Sequence, residues 1–154
     1  MTPSQRCCFV LWGDQCDEVA AVLFVTTLRA AGLRVWVVGV SGRRISGVHG
    51  LQLIADLALD EALPLAAQAA CVIAPCAPKV LLHFLNDPRL GLFFQTSVQQ
   101  AVPLLIAQSI GEIEQPNPLS TLDLPAAALI IYPAGEALLP FIRSFAATLS
   151  ESLY

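Results

Sequence analysis

Residues 7–12 read CCFVLW, residues 33–40 read LRVWVVGV, and DEVAAVLFVTTLRAAG (17–32) lies between them. The two outer runs are apolar without alternation, as strands covered on both faces are. The middle run has helix punctuation: Asp17 and Glu18 in a first turn, Arg29 in a last turn, then Gly32. These charges suit a helix dipole, and Gly32 suits the left-handed position after a helix. Asp14, just after Gly13, is placed to cap the helix start. Strand, helix and strand in one short span predict a parallel pair joined by a right-handed crossover.

The pattern continues outward from this unit. Ser41–Arg44 is a turn, and residues 45–55 form short strand material around Gly47 and Gly50. Residues 60–62 read as a short helical piece. ACVIA (70–74) is another buried strand, stopped by Pro75 and Pro78. Residues 79–86 and 88–101 read as helices, 104–108 and 127–132 as strands, and 115–125 as a proline-containing loop. Leu138, Ile142, Phe145 and Leu149 recur at helical spacing and mark a C-terminal helix. The expected architecture is one α/β domain over residues 1–154. It is a doubly wound, mostly parallel sheet of five to six strands with helices on both faces. Ligands of such sheets bind beyond the carboxyl ends of the strands. That places Asp14, Cys16, Cys76, Ala77, Ser109, Ile110 and Gly111 at the expected cleft.

Composition narrows the function classes. The chain has 154 residues, 8 basic and 12 acidic, for a net charge of −4. Charged residues are 13% of it, against about a quarter in an ordinary soluble domain, and apolar residues are 56%. So basic residues are too few for an electrostatic footprint on nucleic acid. The apolar excess must enter a core, a partner interface or a membrane. Residues 90–111 are uncharged and long enough to span, but Gln95, Gln99, Gln100, Gln108 and Pro103 interrupt them. No membrane span is expected, and the apolar stretch after Arg6 is too short for a signal peptide. A cytoplasmic location follows as the expectation.

The five cysteines form no C-x-x-C pair, so no metal site and no disulfide framework is expected. Cys16 and Cys76 fall at strand ends near the cleft and form a candidate redox pair. Lys79 and a helix start beside Cys76 are the physical reason to consider a lowered thiol pKa. Gly39-x-x-Gly42 and Gly47-x-x-Gly50 lack the spacing of phosphate-binding loops, so no cofactor is expected.

Several stretches together resemble one family. They are the Val10-Leu11 strand, Arg29–Val35 with the Val-Gly-Val and Ser-Gly that follow, Asp56 before Leu59–Ala62, Cys71–Pro75, and Tyr132–Gly135 with its helix. In type and order they are similar to the ThiJ/PfpI superfamily, a class I glutamine amidotransferase-like group of flavodoxin-like fold. The resemblance places the family's nucleophile-elbow cysteine at Ser109, within Ser109-Ile110-Gly111. It places the first-helix glutamate at Ala20, with Asp17 one turn earlier as a partial substitute, and the oxyanion-hole glycine at Cys76. The stretch from Ser109 to Pro133 is short for that family, and no histidine follows His83. The resemblance therefore implies the fold and argues against the activity.

A serine nucleophile needs a base such as histidine. Only His49, in a glycine-rich turn, and His83, on an apolar helix, are available. Ala107–Gly111 also lacks the first glycine of a G-x-S-x-G elbow. The catalytic candidates are thus Ser109, Cys76 and Asp17. The first helix is uncharged from Val19 to Leu28, which points to cover on both sides. In the resembled family this helix commonly lies at a dimer interface. Val19, Val22, Phe24 and Leu28, with Leu92 and Phe93 further on, are the expected contacts of a homo-oligomer, a dimer, or a hetero-complex. The reading is a non-catalytic domain acting through assembly or ligand binding. The alternative is a residual cysteine- or serine-dependent enzyme acting on small carbonyl or acyl compounds at the cleft.

Overall fold

A computed structural model describes residues 5–98, 102–108 and 129–153. The opening run folds as expected from its pattern: β1 (Cys7–Trp12), α1 (Glu18–Ala30) and β2 (Val35–Gly39). A short antiparallel hairpin follows, β3 (Arg44–Ser46) and β4 (Gln52–Ile54), with Ile45 opposite Leu53. Next come β5 (Leu57–Ala58), α2 (Leu59–Ala62), a 3-10 turn over Leu63–Gln68 and β6 (Ala69–Ala74). The chain continues through α3 (Pro78–Phe84), α4 (Pro88–Val98), β7 (Leu104–Ala107), β8 (Leu129–Tyr132) and α5 (Leu138–Leu153).

Six strands form one sheet in the order β5-β2-β1-β6-β7-β8, every pairing parallel. The register puts Phe9 beside Trp36 on one side and Val72 on the other. The sheet grows to one side of β1 through β2 and to the other through β6. Right-handed crossovers therefore send α1 and α4 to opposite faces. On one face α1 packs against α5; on the other α4 packs against the 3-10 turn and α2. All of β1 and β6 is buried, which explains the absence of polar residues from both. Phe9 meets Phe93 of α4 edge-on at 5.2 Å, and Phe24 of α1 meets Tyr132 of β8 at 5.1 Å. Edge-on packing suits the ring quadrupoles.

Local signals hold where chemistry enforces them. Gly32 has φ +85°, the left-handed conformation expected after α1. Asp17, not Asp14, caps α1: its carboxylate accepts from the Val19 amide at 2.9 Å. Asp14 is displaced because Gly13–Cys16 forms its own tight turn, closed by the Cys16 amide on the Gly13 carbonyl at 3.1 Å. The β5 strand is two residues long and leaves no periodicity to read. Among the described residues, no helix is long and apolar enough to cross a membrane.

Candidate functional site

The carboxyl ends of β1 and β6 meet where the sheet changes direction of growth. The Asp17 amide donates to the Pro75 carbonyl at 2.7 Å, locking the two loops together. Gln15 sits between them with φ +68°, a left-handed conformation unusual for a residue with a side chain. On the α1/α5 side of this crest lies a cavity of about 470 Å³. Asp17, Ala20, Cys76, Ala77, Gln108 and Tyr132 are among its walls. This is the cleft that the strand order alone places here.

The expected cleft residues separate on inspection. Cys76 and Ala77 line the cavity, and Asp17 stands at its wall. Cys16 is fully buried, and its sulfur accepts from the Gly13 amide at 3.3 Å. Asp14 lines a different cavity on the other side of the crest. Ser109, Ile110 and Gly111 lie outside the described residues.

The structure brings Cys16 and Cys76 together, with an outcome opposite to activation. The neighbouring Cys16 thiol pushes the Cys76 thiol far above its ordinary range, and burial adds to this. Lys79 and the start of α3 do not bring it down, so Cys76 is held as a neutral thiol. Burial likewise raises the Tyr132 hydroxyl. Ala20 offers this cavity a methyl group, not an acid.

One acid that the sequence reading treated as a dipole charge has a larger role. Glu18 is buried, and its carboxylate faces the tip of the β3–β4 hairpin. The His49 amide donates to both its oxygens at 3.0 and 2.9 Å, and the Leu51 amide donates at 3.0 Å. Burial works to raise the Glu18 pKa, but these amides and the His49 ring outweigh it and hold it at about 2. Gly47 makes this approach possible, since a Cβ there would lie 2.4 Å from the Glu18 carboxylate. The Val48 amide also donates to the Cys16 carbonyl, and the Trp12 indole donates to the Ile45 carbonyl. The hairpin is thus fastened at three places, to the end of β1, to the loop after it and to the start of α1. The available signal was an acid in the first turn of a helix followed by a glycine-rich turn, which spacing alone does not connect.

Asp17, Glu18 and His49 are the one described group whose ligand atoms converge, all within 4.8 Å. Glu18 is already saturated by amide donors, so the group works as a structural clasp.

Of the expected interface residues, three point inward. Phe24, Leu28 and Phe93 are fully buried by the chain itself, which takes them off any surface offered to a partner. The reason is rotational: one helix face carries Ala20, Ala21, Phe24 and Leu28 into the sheet and α5. Val19, Val22 and Leu92 stay exposed, at 58%, 40% and 53%. Val22 joins Leu53 and Ile54 of the hairpin in a shallow groove of about 190 Å³. The Arg29–Asp56 ion pair, 2.9 Å long, borders it.

The whole arrangement has counterparts among solved structures. Drosophila melanogaster DJ-1beta matches 97% of this chain and 90% of its own, with TM-score 0.73 and 13% identity. A DJ-1 superfamily protein of Salmonella typhimurium, solved as a cysteine-to-alanine mutant, matches 96% of this chain and 90% of its own, with TM-score 0.68 and 17% identity. A putative protease I from Bacteroides thetaiotaomicron matches 97% of this chain and 99% of its own, with TM-score 0.66 and 14% identity. The chain has the DJ-1/ThiJ/PfpI fold. The resemblance read from Arg29–Val35 and Cys71–Pro75 is thereby borne out at the level of the fold. No protein-family model matches the chain, and no curated protein matches it. The likeness to DJ-1/ThiJ/PfpI proteins extends over nearly the whole chain, so it takes in the parallel sheet and the helices on both of its faces.

Proposed function

We propose that this chain is a non-catalytic DJ-1/ThiJ/PfpI-like domain that acts by self-association. The observation that carries the reading is the apolar groove shared by α1 and the hairpin. Val22 and Ile54 are walls of one groove although 40% and 68% exposed, in a chain whose charged content is only 13%. An exposed apolar surface built from two elements is a common mark of an interaction site. The Glu18 clasp supports the same reading, because it holds the hairpin half of the surface rigidly against α1. Pre-organisation of that kind lowers the cost of association.

The cleft chemistry supports the non-catalytic half. A thiol nucleophile acts as its thiolate, and Cys76 is held neutral by Cys16 and burial. The position that the resemblance assigns to the acid is Ala20. A residual hydrolase or glyoxalase-like enzyme is the second reading, favoured by the size of the cleft and by Asp17 at its wall. Turnover of methylglyoxal and of a simple ester by the native chain and by Ser109→Ala separates the two. The first reading expects background rates from both proteins. Turnover that Ser109→Ala abolishes would establish the second.

A further inference from the structure

We propose that the cavity on the opposite side of the crest from the Cys76 cleft, which shares Gln15 and Lys79 with that cleft as walls, is a binding site for a small zwitterion with an apolar body, such as an aromatic α-amino acid. This cavity measures about 480 Å³, within the range of small-molecule sites. It lies beyond the carboxyl ends of β1 and β2 on the α3/α4 side, next to the β1/β6 switch point where open α/β sheets take ligands. Its floor is apolar: Val40, Leu59 and Leu90 are buried, and Val80 and Phe84 flank them. Its rim is polar and of mixed sign. Lys79 and His83 stand one turn apart on α3, and Asp14 comes from the turn after β1. Ser41 and Gln15 add neutral hydrogen-bonding groups.

The charges of the rim select the ligand class. Asp87 is already held by Arg89, whose Nη2 donates to it at 2.8 Å. Asp14 and Lys79 form no salt bridge with any described residue, whereas Asp56, Asp60 and Glu61 are all paired to arginines. One lysine facing Asp14, with Asp87 already neutralised by Arg89, disfavours a polyanion such as a nucleotide. A simple anion would meet Asp14, and a simple cation would meet Lys79. A molecule carrying both charges on an apolar body satisfies both and covers the floor. The strained turn at Gln15 is the kind of backbone feature that concentrates at ligand sites. Because this site is separate from the α1–hairpin groove, it stands or falls independently of the self-association reading.

The test uses the full chain with L-phenylalanine as the probe. 3-Phenylpropanoate and 2-phenylethylamine, each lacking one charge, serve as comparators. Amide chemical shifts locate the contact, and calorimetry gives the affinity. Phenylalanine is expected to shift the amides of Ser41, Val80 and Phe84 while leaving Tyr132 in place. It should bind about tenfold or more tighter than either comparator. Lys79→Gln and Asp14→Asn change exposed side chains, and each should weaken binding about tenfold with the fold intact by circular dichroism. Val80→Trp fills the cavity and should abolish binding. Equal binding of the comparators, shifts centred on Gln108 and Tyr132, or no binding up to about 10 mM would each overturn the proposal.

Discussion

Glu18 shows how one side chain can hold two elements together. Its folded pKa of about 2 lies below the ordinary 4.5. A carboxyl depressed on folding contributes stability that is fully present above the unfolded value and is lost as pH falls through the folded one. Glu18→Gln should therefore melt below the native protein at about pH 6, with the gap closing as pH approaches about 2. Thermal melts across that range check it, and a gap independent of pH would contradict the role of the charge. The five cysteines support a second prediction at this scale. All are buried, and burial also raises Cys7, to about 11. An aromatic disulfide reagent at neutral pH should find no fast thiol in the native protein and five after unfolding. Rapid reaction at Cys76 would return it to the list of nucleophiles.

At the scale of elements, α1 separates core from surface by rotation alone. Phe24 faces Tyr132 and the sheet, so Phe24→Ala should cost about 3–5 kcal/mol as a cavity-forming lesion. Urea denaturation at fixed concentration measures it. Val22→Asp changes a 40% exposed side chain on the other face and should leave the fold within about 0.5 kcal/mol. The sequence shows that α1 is uncharged from Val19 to Leu28, and this establishes its need for cover. It does not show which of those residues the chain itself covers, because valine, leucine, alanine and a single phenylalanine surround the helix without a charged stripe. The hairpin illustrates a different limit. Gly47 and Gly50 mark its turn legibly. The contact that docks it joins residues 31 and 33 positions apart, beyond the reach of helical or strand periodicity. Leu57 and Ala58 form an edge strand by pairing with Val38 and Gly39, which requires the sheet to exist first.

For the whole molecule, the alternation of buried strands with helices was the most legible property. CCFVLW, LRVWVVGV and ACVIA are apolar almost throughout because a parallel sheet covered on both faces leaves little room for polar groups on its inner strands. That fold class places the cleft beyond the carboxyl ends of the strands before any side chain is considered, and the observed strand order narrows it to the ends of β1 and β6. The chemistry inside the cleft was less legible. Cys16 and Cys76 each sit at a strand end, but their proximity, which keeps Cys76 protonated, needs the meeting of two loops. The low charge content now has a structural account. Most of the apolar excess lies in the sheet, and a remainder is exposed on α1 and the hairpin at Val22 and Ile54.

That remainder makes self-association the claim most directly open to measurement. Sedimentation equilibrium of the native chain at micromolar concentration should return twice the protomer mass of 16.4 kDa. Val22→Asp and Ile54→Asp should each return the single mass with unchanged circular dichroism. A native chain that sediments as a monomer, or variants that remain dimeric, would contradict the account.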